Sequence, residues 1–128
     1  MKIVFSAVFF SVFVNATTVS AKESYRHFPS VPSPDLATAL CNLQSYNDKL
    51  TNILSKETLD AVDMAKVHEL TYTLEDAVAQ IQKDLIVVAE NLESVHKASE
   101  RIDQQAIDSH GSQYIAQTKL LTDAVKCD

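Results

Sequence analysis

An unbroken heptad constrains this chain more than any other feature. Met64, Val67, Thr71, Leu74, Val78, Ile81, Leu85, Val88, Leu92, Val95, Ser99 and Ile102 follow one another at alternating spacings of three and four. A stripe of that period keeps one seam of a helix turned toward a partner over many turns. It predicts one long helix, from about Leu59 to Glu100, and a function of surfaces rather than of a pocket.

Glycine and proline usage sets the class. All three prolines, Pro29, Pro32 and Pro34, precede the first expected helix, and Gly111 is the only glycine. A sheet protein of this size needs turn residues at each reversal. The expected fold is therefore all-α: an up-down-up three-helix bundle with a long central helix, coiled-coil-like packing and an extended N-terminal arm.

Three segments are expected. Residues 1–21 read as a secretory signal peptide. Lys2 supplies a positive start, Ile3 to Val14 is apolar apart from Ser6 and Ser11, and Val19-Ser20-Ala21 offers a small-residue cleavage site. The apolar run is shorter than the roughly 20 residues of a spanning helix, so cleavage is preferred to anchoring, and no membrane insertion is expected afterwards. Residues 22–33 form an extended arm, with Tyr25, Phe28 and Val31 on one side of a polyproline-like strand. Residues 34–128 form the helical bundle. The chain carries a net charge of −6, and losing Lys2 makes it more acidic. That balance argues against nucleic acid and anionic lipid as partners.

The first helix is expected from about Pro34 to Ser55, with Ser33 as N-cap and a seam of Leu36, Leu40, Leu43, Asn47, Leu50 and Leu54. Thr58 is the expected cap of the second helix. A turn at Arg101 to Asp103 leads to a third helix, capped by Asp103 and reaching about Lys126. Its inner stripe is Ile107, Tyr114, Thr118, Leu121 and Val125, and Gly111 is a weak point where a bend is admissible.

Lengths link the two cysteines. At about 1.5 Å per residue, Cys41 in the first helix and Cys127 at the end of the third arrive at the same level along the second. An exported protein with two cysteines is a setting for a disulfide, and Cys41–Cys127 is the expected pair. The lower half of the long helix is thinly covered, because Leu85 to Ala89 is apolar on more than one face. Either the arm folds over it, or two copies form a homodimer through the second and third helices. Both options stay open on sequence alone.

Chemistry-bearing clusters are sparse. His68-Glu69 lacks the second histidine of a zinc-protease helix, since Tyr72 stands in its place. Asn47, His68, Thr71 and Tyr72 are expected to form a polar layer in the core. Met64 with His68, or His96 with His110, are the candidate metal ligands, though the preferred reading has no metal and no cofactor. Covalent haem attachment through Cys-x-x-Cys-His is excluded, because that motif does not occur. A non-covalent haem site would need Met64 and a histidine opposite it. There is no nucleophile elbow, no phosphate-binding glycine loop and no recessed pair of carboxylates, so no enzymatic activity is expected.

The stretches Asp63-Met64-Ala65-Lys66-Val67-His68-Glu69-Leu70-Thr71-Tyr72-Thr73-Leu74-Glu75 and Val88-Ala89-Glu90-Asn91-Leu92-Glu93-Ser94-Val95-His96-Lys97-Ala98-Ser99-Glu100, with the His27-Phe28 pair, resemble a family of short exported bacterial all-helical proteins of unknown function. The resemblance implies a periplasmic or secreted bacterial protein and transfers no catalytic or ligand residue. The expected function is a non-enzymatic helical binding or structural module, with itself or an envelope protein as partner. The alternative is a metal- or haem-binding carrier.

Overall fold

A computed structural model describes residues 28–123 and 125–127. The expected signal peptide and residues 22–27 of the arm, Tyr25 among them, lie outside the described residues. The order is α1 (Leu36–Leu54), α2 (Ala61–Glu100) and α3 (Gln104–Thr122). The all-α, up-down-up bundle with a long central helix is what the described residues form.

Local chemistry explains the helix ends. Asp35, not Ser33, caps α1: its carboxylate accepts the Thr38 N–H at 2.8 Å. Ser33 is instead tied into the arm, where Asn42 Nδ2 donates to its Oγ at 3.0 Å and to the Pro32 carbonyl at 3.2 Å. Asp60, not Thr58, caps α2. Asp60 and Asp63 close a reciprocal capping box, so two otherwise orphaned N–H groups are satisfied together. Asp103 caps α3, as the sequence indicates, by accepting from Ala106 N at 3.1 Å.

The α2–α3 turn is a Schellman motif. Asp103 N–H donates to Ala98 O at 3.0 Å and Ile102 N–H to Ser99 O at 3.3 Å. Ile102 takes the left-handed position, with φ of 57°. Glycine is the usual occupant there.

The two shorter helices share the long one. Tyr46, Lys49 and Ile53 of α1 lie beside Lys66, Leu70 and Thr73 of α2. His110 and Gly111 of α3 lie beside Asn91 and Val95, near the other end. The start of α1 meets the end of α3 around Ala37, Lys119 and Leu120. Otherwise α1 and α3 barely touch. They sit end to end along α2, each on its own half.

The third helix stops at Thr122 rather than Lys126, and Gly111 does not interrupt it. Asp123 leaves α3 in extended backbone (φ −91°, ψ 155°). Cys127 lies beyond the end of α3 and reaches Cys41. The two form a disulfide with Cα atoms 5.4 Å apart. The pairing follows the sequence reading, but α3 ends at Thr122, before the bridge.

The seam is rotated from its expected position. Val67, Leu74, Ile81 and Val95 are half-buried, and Val88 is buried. Their companions in the seam are Asp63, Leu70, Ala77, Asp84, Asn91 and Ala98. The other half of the expected stripe, Met64, Val78, Leu85 and Leu92, is exposed. The seam of α1 turns likewise. Ala39, Tyr46 and Ile53 face inward, whereas Asn47 and Leu54 are exposed.

Small residues explain the rotation. Ala39, Ala77 and Ala98 have no exposed surface, so backbones approach closely where they meet. Each polar residue in the seam also has a partner. Lys56 Nζ reaches Asp63 Oδ1 at 2.6 Å, Gln80 Nε2 donates to Asp84 Oδ2 at 2.8 Å, and His110 Nδ1 lies 3.0 Å from Asn91 Oδ1. A satisfied polar group can occupy a seam that an unsatisfied one cannot.

The arm crosses the back of the upper half of α2. Val31 N–H donates to the buried Thr73 Oγ1 at 3.0 Å, and Ser30 Oγ bonds the Asp76 carboxylate. Phe28 stacks edge-on against His68, with ring centroids 6.1 Å apart. The described arm residues therefore cover the region from His68 to Lys83. They do not cover Leu85, Ile86 and Val87, which remain exposed.

Candidate functional site

The expected polar layer of Asn47, His68, Thr71 and Tyr72 does not form in the core. Asn47 is exposed on α1, because Tyr46 takes the inward position beside it. His68 is exposed, and Thr71 and Tyr72 are half-buried. His68 Nε2 and Tyr72 Oη lie 3.3 Å apart on the outer face, where Phe28 joins them. Thr71 turns its hydroxyl back to the His68 carbonyl at 2.8 Å. This is the arm's docking cluster. The polar contact between helices lies elsewhere, at Asn91 and His110, whose spacing fell outside any expected stripe.

Met64 and His68 stand one turn apart on α2, whereas His96 and His110 turn to different partners. Met64 is exposed at the start of α2, and His68 is engaged with Tyr72 and Phe28. His96 Nε2 pairs with Glu100 Oε1 at 3.5 Å, while His110 turns inward to Asn91. Among the described residues, no three His, Cys, Asp or Glu side chains are grouped so as to hold a metal ion.

One cleft lies between the arm, α1 and α2. Tyr46, Lys49, Ile53, Lys66 and Glu69 line it. Lys49 Nζ sits 3.7 Å over the Tyr46 ring, a surface cation–π contact. The cleft is open to solvent and contains no recessed acid–base pair.

Shifted titrations belong to caps and surface pairs. The Lys56 ammonium holds Asp63 below the ordinary carboxylate range, and Asp63 holds Lys56 above the ordinary lysine range. Hydrogen bonding to Thr38 lowers Asp35, and Lys97 lowers Glu93. Each is a charge stabilised by its neighbours at a helix cap or on a helix surface, and of the four only Asp63 is buried.

What stands out is the uncovered column of α2. Val78, Leu85 and Leu92 recur every seven residues along a helix of 40. Ile86 and Ala89 widen the column on its outer side. No helix among the described residues is long and apolar enough to cross a membrane.

The class defined by this fold is a small all-α helical bundle whose conspicuous surface is a helix face. The chain belongs to the family of unknown function DUF6746, whose model matches residues 1–123. No curated protein and no solved structure matches it.

Proposed function

We propose that this chain is an exported, non-enzymatic helical module of the bacterial envelope that works by presenting a helix face to a partner. The observation that carries the reading is the apolar column Val78, Leu85 and Leu92, left exposed on a continuous helix. Large contiguous apolar patches on a folded surface mark interaction sites. The apolar run before Asn15 and the small residues ending at Ala21 support export. The cysteine pair fits an oxidising compartment.

The test uses protein purified from the envelope of cells that express it. Mass analysis is expected to find a chain starting at Lys22 with its cysteines oxidised. Metal analysis and absorption spectroscopy are expected to show neither stoichiometric metal nor a Soret band. Crosslinking in the envelope is expected to yield an adduct that Leu85→Glu abolishes. A cytoplasmic, uncleaved chain would overturn the export reading. Stoichiometric copper or haem lost on His68→Ala would replace the module reading with a carrier.

A further inference from the structure

We propose that the Cys41–Cys127 bridge is a site of thiol–disulfide exchange in the folded chain: an external dithiol attacks Cys127 Sγ, and reduction releases the tail that follows α3 without dismantling the bundle. The proposal is independent of the helix-face reading, since it needs no partner for α2.

The two sulfurs are unequally placed. Cys127 lies beyond the end of α3 and is exposed, whereas Cys41 sits inside α1 and is half-buried. Exchange depends on which sulfur an attacking thiolate can reach. Here that sulfur belongs to Cys127. Its polar neighbour is Gln44 Oε1, 3.6 Å away on an exposed side chain. A disulfide sulfur has no hydrogen to donate, so this is a contact and not a hydrogen bond. The approach to Cys127 is therefore a wet surface rather than an apolar wall.

The bond is also what holds the tail. Asp123 N–H donates to Lys119 O and ends the helical ladder. Among the described residues, no hydrogen bond accepts the backbone N–H of Val125, Lys126 or Cys127. Val125 is half-buried at the junction of α1 and α3, where Ala37 and Leu120 also lie. Covalent attachment to Cys41 adds the remaining hold. The helices have separate support. Leu36 and Ala39 of α1 are buried, and α1 and α3 each pack along α2. A segment with few contacts of its own opens locally at low cost. Cutting the bond thus removes the tail's anchor and leaves the packing of each helix on α2 in place.

The chemistry is a two-step exchange. A thiolate of the dithiol bonds to Cys127 Sγ, the S–S bond breaks, and its electron pair leaves on Cys41 Sγ, which takes a proton from water. The second thiol of the reductant, once deprotonated, attacks its own sulfur in the mixed disulfide. Cys127 then leaves as a thiolate and is protonated in turn. Two electrons pass to the bridge, and the reductant ends as a disulfide. The product has a free tail and an open junction at Ala37 and Leu120, so the thiol poise of the surroundings sets the state of that end of the bundle.

Reduction kinetics of the oxidised chain test this, with dithiothreitol as the probe and alkylation followed by mass analysis as the readout. In native buffer the rate should rise in proportion to dithiothreitol and lie within about 10-fold of the rate in concentrated urea. A bridge reached only through global unfolding would react at least about 1,000-fold more slowly than in urea, and that result would overturn the proposal. A brief pulse of glutathione, quenched with acid and mapped by peptide mass, should place the mixed disulfide on Cys127 at least about 10-fold more often than on Cys41. A preference for Cys41 would reject the assigned point of attack. After reduction, trypsin should cut at Lys126 at least about 10-fold faster than in the oxidised chain, with the helical circular dichroism retained. Equal cleavage of the two forms, or loss of the helical signal on reduction, would show that the bridge does not act as a strap on the tail.

Discussion

The Nδ1 of His110 lies 3.0 Å from the Oδ1 of Asn91, and this one side-chain pair crosses the α2–α3 interface at its polar point. An amide oxygen can only accept, so Nδ1 must carry the hydrogen. In the neutral imidazole that leaves Nε2 unprotonated. Nitrogen NMR of the ring should therefore report the Nδ1–H tautomer. Asn91→Leu should lower stability by about 1 to 2 kcal/mol, because it leaves a half-buried donor unsatisfied. Urea denaturation measures that loss, and an unchanged midpoint would place the interface energy elsewhere.

Ile102 is held in the left-handed region with φ of 57° while 91% of its surface is exposed. A β-branched residue is strained there, by about 1 to 2 kcal/mol. Ile102→Asn should therefore stabilise the chain by about 1 kcal/mol, since asparagine tolerates the conformation and no packing is lost. In a domain of this size the melting temperature should rise by about 4 to 8 °C.

The Cys41–Cys127 bond closes a sequence separation of 86 residues and links α1 to the tail of α3. Little else joins those two helices. The chain-entropy model assigns a loop of this length about 4 kcal/mol. Reduction, or a Cys41→Ser and Cys127→Ser double variant, should lower the denaturation midpoint accordingly. Far-ultraviolet circular dichroism should still show the helices, because α2 organises each neighbour separately. Equal stability of the oxidised and reduced forms would contradict this.

Asp63 is buried at the start of α2, where Lys56 and the capping box hold its carboxylate in the ionised form. Its pKa is depressed in the folded chain, so its contribution is complete above the ordinary value of about 3.9. That contribution is lost as the pH falls through the lowered folded value. Lys56, with a raised pKa, adds a contribution lost only as the pH rises above about 10.4. Asp63→Asn should be less stable than the parent by a constant amount near neutral pH. The gap should narrow below about pH 4. Paired urea titrations across that range check the sign.

Much of this architecture is legible in residue order. The stripe from Val67 to Val95 marks a long helix because only a helix keeps such spacings on one side. Asp103 reads as a cap because an acid ahead of a helical pattern has N–H groups to accept from. The seam was harder. Three adjacent columns of α2 can each form half of a stripe, and counting apolar residues favours the one with Met64, Val78, Leu85 and Leu92. The structure buries the column with Asp63, Asp84 and Asn91 instead. Its polar members each find a partner, and Ala77 and Ala98 permit close approach. Partnering is a property of three dimensions, and no periodicity encodes it. The arm's seat on Thr73 was invisible for the same reason, since it depends on one backbone N–H of Val31 meeting one hydroxyl. The uncovered face follows from that rotation, so the candidate site could be read only after the seam was known.

The continuity of α2 carries the whole account, since α1, α3, the arm and the exposed column all register against it. Spin labels at Lys66 and Lys97, both exposed, measure it directly by dipolar spectroscopy in chains diluted with unlabelled protein. A single unbroken helix sets their backbone positions about 46 Å apart, and one narrow distance distribution near that value is the expected result. A distribution centred far below it would mean that α2 folds back on itself, and the uncovered face would not exist.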